Sequence, residues 1–338
     1  MSAKERIASM LAAAGLLATA WPALSAPTRA DWTMFGWDPG RTSAPDVSTG
    51  VTASDLQTLQ RQQVRIDGTV DASAIYLHGV TVKGATRDVF FVTTTYGKTL
   101  AVDADRGTVL WEFTPDSYDS VKGSYRITTA TPVADPARAY IYAASPDGMI
   151  RKLAVADGSV VWSTSITKLP AREKIASALG FYKGRVIATT GGYIGDEPPY
   201  QGHVVLLDSS NGELLHVWNA LCSRRHELID PPSCPQSDAA IWGRAGAVVD
   251  TATGNLYVAS GNAKWDGVEY WGDAVIELDP DATKILGNYT PPNTEQLDDE
   301  DLDLGSTSPV LTGGPYVVQG GKDGHLRVLD WGAMAGTA

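Results

Sequence analysis

Leu100-Ala101-Val102-Asp103 runs through Gly107 to Trp111. The phrase returns as Leu153-Ala154-Val155, through Asp157-Gly158 to Trp162, and again as Leu206-Leu207-Asp208, through Asn211-Gly212 to Trp218. Weaker copies stand at Glu277-Leu278-Asp279 and Val328-Leu329-Asp330. Each strong copy is a strand-like run, a tight Asp/Asn-Gly turn and a second run ending in an aromatic residue, which is hairpin chemistry. Copies spaced by about 50 to 70 residues mark a repeat architecture. A hairpin cannot bury both faces alone, so such units must stack side by side.

Another β-branched or aromatic run precedes each phrase. These are Val89 to Thr94, Ala139 to Ala143, Arg185 to Thr189, Asn255 to Ala259 and Tyr316 to Val318. Each unit therefore supplies about four strands, the size of a propeller blade. The expected fold is all-β, a β-propeller of four-stranded antiparallel blades, with about five blades visible. Asp103, Asp208, Asp279 and Asp330 are expected at equivalent blade positions. Trp111, Trp162 and Trp218 are expected wedged between neighbouring sheets. Val64 to Ile66 reads as a further short strand, and Val51 to Leu59 as a short helix or turn. The fifth unit ends in Gly332 to Ala338, which has no strand character, so the fifth blade and the ring are expected to be incomplete.

Forty-three per cent of the 338 residues are hydrophobic, enough for one closed repeat domain over 27–338 rather than two globular ones. The net charge of -12 argues against nucleic acid or an anionic membrane as the main partner. Residues 1–26 form a secretory signal: Lys4 and Arg6, an apolar run from Ile7 to Ala20, then small residues with cleavage after Ser25 or Ala26. That run is too short for a membrane span, and the expectation is an exported protein, periplasmic or secreted, with no transmembrane segment. Cys222 and Cys234 close a short loop containing Pro231 and Pro232, and in an oxidising compartment they are expected to form a disulfide. A metal site with nearby His226 is the rival reading. Cys-x-x-Cys-His does not occur, which excludes covalently bound haem c.

The phrases ending in Trp111 and Trp162 resemble the tryptophan-docking repeat of the pyrroloquinoline quinone (PQQ) propeller superfamily. Asp31-Trp32 onward, with Arg41, resembles the amino-terminal segment of its alcohol dehydrogenases. Gly192-Tyr193-Ile194-Gly195-Asp196-Glu197 is similar to the loop whose glutamate binds calcium, which implies that role for Glu197. Ile241-Trp242-Gly243 resembles the segment whose tryptophan stacks under the quinone, which implies Trp242. Tyr257 to Asn262 resembles the strand ending in a calcium-binding asparagine, which implies Asn262. The acidic run before Gly305 matches the place of the catalytic aspartate, with Asp303 first and Asp301 second, and Asp303 also a calcium ligand. Lys322-Asp323-Gly324 is similar to the segment presenting a cation to the quinone, which implies Lys322. The adjacent bridged cysteines often found over the quinone have no counterpart between Tyr118 and Ile127.

These residue types suit the implied chemistry. Calcium takes hard oxygen ligands. A planar quinone needs an aromatic floor. Oxidising an alcohol needs a base within hydrogen-bond reach of its hydroxyl, and a cation stabilises the reduced quinone. The resemblance implies a quinoprotein dehydrogenase oxidising an alcohol or polyol with PQQ and calcium, passing electrons to a separate acceptor. The stretch from Cys234 to Arg244 is closest in flavour to dehydrogenases of the polyvinyl-alcohol type. A non-catalytic propeller serving as an envelope protein-binding scaffold is the alternative. A shared cavity for Glu197, Trp242 and Asn262 would discriminate between the two.

Overall fold

A strand with apolar residues at consecutive positions needs cover on both faces, and the computed structural model supplies it by stacking five sheets in chain order. It describes residues 30–334 except Asp46, Ser48 and Thr49. The signal expected over 1–26 lies outside these residues. The first sheet is β1 (Ile75–Val82), β2 (Ala85–Thr93), β3 (Thr99–Asp103) and β4 (Val109–Phe113). The second is β5 (Val133–Ala134), β6 (Tyr140–Ala144), β7 (Met149–Ala154) and β8 (Val160–Ser165). Next in the chain come β9 (Glu173–Lys174), β10 (Gly180–Tyr182), β11 (Arg185–Thr189), β12 (Gly191–Gly192), β13 (His203–Asp208) and β14 (Leu214–Asn219). Strands β10, β11, β13 and β14 form the third sheet, and β9 pairs with β12 as a separate ribbon. The fourth sheet is β15 (Val248–Val249), β16 (Leu256–Ala259), β17 (Val275–Leu278) and β18 (Ile285–Tyr289). The fifth is β19 (Val310–Leu311), β20 (Tyr316–Gly320) and β21 (Leu326–Asp330). All these pairings are antiparallel.

Side chains alternate between faces along a strand, and the core divides accordingly. Ile141 and Ala143 pack with Phe91, Ala101 and Trp111 of the first sheet. Tyr142 and Ala144, their neighbours in sequence, pack with Val186, Ala188 and Val205 of the third. Ile187, Val204 and Leu206 turn the other way, onto Leu256, Val258 and Ile276 of the fourth. Val248, Tyr257 and Val275 then meet Val317 and Leu329 of the fifth. This serial stacking of twisted antiparallel sheets is the propeller arrangement.

The last hairpin of each four-stranded sheet carries the same irregularity. Ala101 pairs with Trp111 but Val102 with Val109, Lys152 with Trp162 but Leu153 with Val160. Leu206 pairs with His216 but Leu207 with Leu214, and Glu277 with Gly287 but Leu278 with Ile285. One residue is skipped each time, a β-bulge that bends the strand. The register makes Trp111, Trp162, His216 and Gly287 equivalent. Trp218 is fully buried between the third and fourth sheets, as expected, though it lies two residues beyond the position of Trp111 and Trp162. Trp111 and Trp162 dock as expected. Their rings lie over Gly158 and Gly212 of the following sheet, and their indole N–H groups donate to Val155 O at 2.9 Å and Ser209 O at 3.3 Å.

Val64 to Ile66 joins no sheet; Val64 lies instead against Gly107, in a largely exposed stretch without a partner ladder. Residues Asp55–Gln57 form a single 3-10 turn inside the expected helix. Trp32 bridges to Tyr76, so the amino-terminal segment adds to the first sheet, not the fifth. Cys222 and Cys234 are bonded, within the same core cluster as Trp218. Among the described residues, no helix is long and apolar enough to cross a membrane.

Trp111→Ala is expected to cost about 3–5 kcal/mol, because it empties a packed inter-sheet site. Gly158→Ala should also destabilise, since Gly158 sits at φ +78 and a Cβ there would come within 2.6 Å of the Trp111 ring. Chemical denaturation of both variants beside Trp162→Ala, whose ring is half-buried, should rank Trp111→Ala as the more damaging tryptophan change.

Candidate functional site

The turn from β20 to β21 is Gly321-Lys322-Asp323-Gly324. Asp323 secures it from within. Its carboxylate accepts from Arg327 Nη2 at 2.5 Å and from the His325 backbone N–H at 3.1 Å. The Arg327 hydrogen bond is the main reason that Asp323 is held down at about 2. Lys322 is left to reach inward. Its Nζ lies 2.5 Å from Asp303 Oδ2 and 2.8 Å from Asp301 Oδ1. Its backbone N–H also donates to Asp303 O at 3.0 Å. Burial alone would lower the Lys322 ammonium, but the hydrogen bonds it donates to Asp301 and Asp303 outweigh that and hold it above the ordinary lysine value.

Asp303 is buried where two chain segments cross. A Cβ on Gly261 would stand 2.1 Å from Asp303 Oδ1, and one on Gly305 would stand 2.5 Å from the Ser260 carbonyl carbon. Only glycine fits at either place. Asp303 Oδ1 accepts the Asn262 backbone N–H at 2.8 Å. Next door, Asp273 is fully buried; its Oδ1 accepts from the Leu304 N–H at 2.8 Å. Its Oδ2 has no hydrogen-bond partner. Burial pushes this carboxyl up to about 7, with the Leu304 bond opposing and the Asp303 charge adding.

The facing wall comes from the β9–β12 ribbon and the loop after it. Alternation along Arg172-Glu173-Lys174 buries Glu173 completely and turns Lys174 to the cavity. Glu173 accepts from Thr167 Oγ1 and, at 3.0 Å each, from the Gln201 backbone N–H and His203 Nε2. Burial, then the charge of Arg244, lowers the Lys174 ammonium. Gly195 and Asp196 are both at positive φ, a tight reversal that brings Asp196 inward. Asp196 accepts from Tyr200 Oη at 3.1 Å. Burial raises its carboxyl, and the charges of Asp303 and Asp301 add to the shift. Trp242 completes the chamber, with Lys322 Nζ 5.6 Å from its ring centroid, in cation–π range. The resulting cavity is about 640 Å³.

Trp242, Asn262, Asp303 and Lys322, together with Asp301, line this one cavity. Glu197 does not. The reversal at Gly195-Asp196 leaves its side chain 62% exposed and paired with Arg172. Asn262 lines the cavity and its backbone N–H donates to Asp303, whereas Glu197 is turned away from it. Among the described residues, no group of three or more His, Cys, Asp or Glu side chains is gathered to hold a metal ion. Lys322 instead bridges Asp301 and Asp303. Asp196, Lys174 and Tyr200 line the chamber without having been singled out in the sequence.

The family described as outer membrane protein assembly factor BamB matches residues 40–228, more than half the chain. Quinohemoprotein alcohol dehydrogenase ADH IIB of Pseudomonas putida is 26% identical over 278 residues, which are 72% of this chain and 38% of that protein. The fold is similar to quinohemoprotein alcohol dehydrogenase from Comamonas testosteroni, with TM-score 0.69 and 20% identity over 89% of this chain and 47% of that one. It is also similar to a europium-containing methanol dehydrogenase, with TM-score 0.66 and 17% identity over 89% of this chain and 56% of that one. The chain thus spans roughly 38–56% of the length of these relatives.

Asp273 makes the site pH-sensitive with a definite sign. Its proton is held more tightly in the folded protein, about 7 against an ordinary 3.8. The stability it contributes is therefore complete in acid and is lost as pH rises from about 4 through 7. Asp273→Asn keeps an acceptor for the Leu304 N–H and removes the titration. Thermal melting at pH 5 and pH 8 should show a smaller loss of stability for the variant than for the unmodified protein.

Proposed function

Since the chain belongs to the PQQ-like propeller family described as outer membrane protein assembly factor BamB, and folds like quinoprotein alcohol dehydrogenases, we propose that it is the propeller part of an exported quinoprotein dehydrogenase. Its substrate is a small alcohol or polyol, and its electrons pass to a separate acceptor. The carrying observation is the meeting of an indole floor, a bridging lysine and a buried aspartate, Trp242, Lys322 and Asp303, in one chamber. The residues fit a planar, anionic quinone. Trp242 would lie under its rings, and Lys322 and Lys174 would face its oxygens and carboxylates.

PQQ, when bound, supplies the two-electron acceptor that no side chain here can provide. The protein's part is to bind, orient and take a proton. Asp303 is fixed by the Asn262 N–H and stands ready to accept the proton of the substrate hydroxyl. Tyr200 and Asp196, hydrogen-bonded to each other, line the opposite side. The residues do not fit calcium in this arrangement, because Lys322 fills the space between Asp301 and Asp303 and Glu197 faces away. No step is therefore assigned to a metal.

The second reading, a non-catalytic envelope scaffold, is favoured by the description of the matching family. Adding PQQ to the intact gene product separates the two. The dehydrogenase reading expects bound PQQ by visible absorbance and alcohol-dependent dye reduction. Asp303→Asn should lower that turnover by roughly 10²–10⁴-fold, the usual contribution of a general base, with PQQ still bound. Lys322→Ala should weaken PQQ binding itself. Absence of PQQ binding to the intact protein would leave the scaffold reading standing.

A further inference from the structure

The docking position of the third sheet holds no tryptophan. The bulge register that aligns Trp111 with Trp162 puts His216 there, across the strand pair from Leu206. His216 lies near Asp281, with Nε2 3.9 Å from Oδ1. Beside this position a cavity of about 200 Å³ opens between the third and fourth sheets, lined by Tyr182, Arg185, Ile187, Leu206, Leu256 and Pro280. We propose that this slot binds a planar aromatic heterocycle bearing an N–H, a small molecule of the indole class, which takes the place of a docking tryptophan ring.

The neighbouring junctions show what such a slot accepts. Trp111 and Trp162 lie over the last turn of the following sheet, and their indole N–H groups donate to the backbone carbonyls of Val155 and Ser209. Each acceptor directly follows the residue that closes its turn, Ala154 with Ser159 and Asp208 with Glu213. In the fourth sheet Asp279 closes the turn with Lys284, so Pro280 O is the equivalent carbonyl, and Pro280 lines the cavity. At the fourth junction the docking position is Gly287, yet an indole is present. Trp331, from beyond the last strand of the fifth sheet, lies against Gly287 and donates to Glu277 Oε2 at 2.6 Å. The position thus takes an indole supplied from outside its own hairpin. Among the described residues, three of the four junctions hold an indole there and the third holds His216, with Trp218 packed two residues further along.

The walls suit a free ring. Ile187, Leu206 and Leu256 offer aliphatic contact from both sheets. Pro280 O accepts from Arg185 Nη1 at 2.8 Å, and a carbonyl oxygen keeps a second lone pair for a ligand N–H. Arg185 is held by Asp281 at 2.7 Å and brings a cation to the lining, which favours the π-face of a ring. The turn from Asp279 to Lys284 contains no glycine, whereas Trp111 and Trp162 lie on Gly158 and Gly212. A ring tethered at position 216 would meet side chains where those two meet none. A ring free of the backbone can settle clear of them. The ligand therefore acts as a removable docking ring between the third and fourth sheets, whatever the Trp242 chamber binds.

Titration of the intact protein with indole tests this. Calorimetry should show saturable binding, and the melting temperature should rise with indole concentration, because a ligand of the folded state stabilises it by mass action. 1-Methylindole keeps the rings and loses the N–H, and should bind several-fold more weakly. Leu206→Phe puts a ring of the protein's own into the slot and should abolish indole binding. Arg185→Ala removes a half-buried wall and its cation and should weaken indole binding several-fold; where Leu206→Phe does not fold, this variant decides. Absence of indole binding, or binding equal for the two ligands and indifferent to both variants, overturns the slot. Indole binding that is lost in Trp242→Ala and kept in Leu206→Phe and Arg185→Ala belongs to the Trp242 chamber and overturns it as well.

Discussion

Burial on both faces is the constraint on which the rest of the molecule depends. The run Val204-Val205-Leu206-Leu207 is fully buried, with alternate residues on opposite sides of one sheet. No two-layer sandwich can cover such a strand; it needs a sheet before it and a sheet after it. The tryptophan–glycine contacts then fix how far apart consecutive sheets stand. Trp111 over Gly158 and Trp162 over Gly212 place flat rings where the following turn has no side chain. Bulges at the same register in four sheets bend each outer hairpin in the same way. Repetition of one local device thus sets the geometry of the whole stack.

The chamber is a consequence of that stacking. Its walls come from the ribbon beside the third sheet, the segments flanking the fourth, and a turn of the fifth. None of these pieces is near another in sequence, and none forms a cavity alone. What holds them at close range is a set of glycines at chain crossings, Gly261 and Gly305 above all. The same crossings press four aspartates, 196, 273, 301 and 303, into one region with two lysines, Lys174 and Lys322. Burial is the main cause that raises the carboxyls of Asp196 and Asp273 and lowers the ammonium of Lys174, and the neighbouring aspartates add to the first two shifts only.

Much of this was legible in the sequence because repeats advertise themselves. The hairpin phrase names the strands, the turns and the docking tryptophans Trp111 and Trp162. Trp218 is buried between sheets as the phrase implies, but two residues past the place of Trp111 and Trp162, because an aromatic at the end of a run looks alike at either of two same-face positions. Only the bulge register shows His216 as the equivalent residue. Trp242, Asn262, Asp303 and Lys322 were found by resemblance to a family pattern. Glu197 lies outside the chamber, and its neighbour Asp196 lines it. Adjacent acids in a turn cannot be told apart by type, and the positive φ at Asp196 decides which one enters the cavity. Lys174 was missed for a related reason. Its ribbon has two residues per strand, too short for alternation to be read with no structure in hand.

Asp273 and Asp303 show how neighbouring carboxyls acquire different work. Both are buried and both meet the Gly261–Asn262 segment, Asp303 through the Asn262 N–H and Asp273 by donating its own N–H to Gly261 O. Asp303 has an ammonium at 2.5 Å; the hydrogen bond that Asp273 accepts comes from one uncharged N–H, and its second oxygen has no partner. For Asp273, burial without a cation beside it favours the neutral form. Asp273, pushed up to about 7, can therefore stand beside Asp303 near neutrality without adding a full second negative charge. The two side chains thus do different structural work, Asp303 aimed into the chamber and paired with Lys322, Asp273 bracing the wall behind it through the Leu304 N–H.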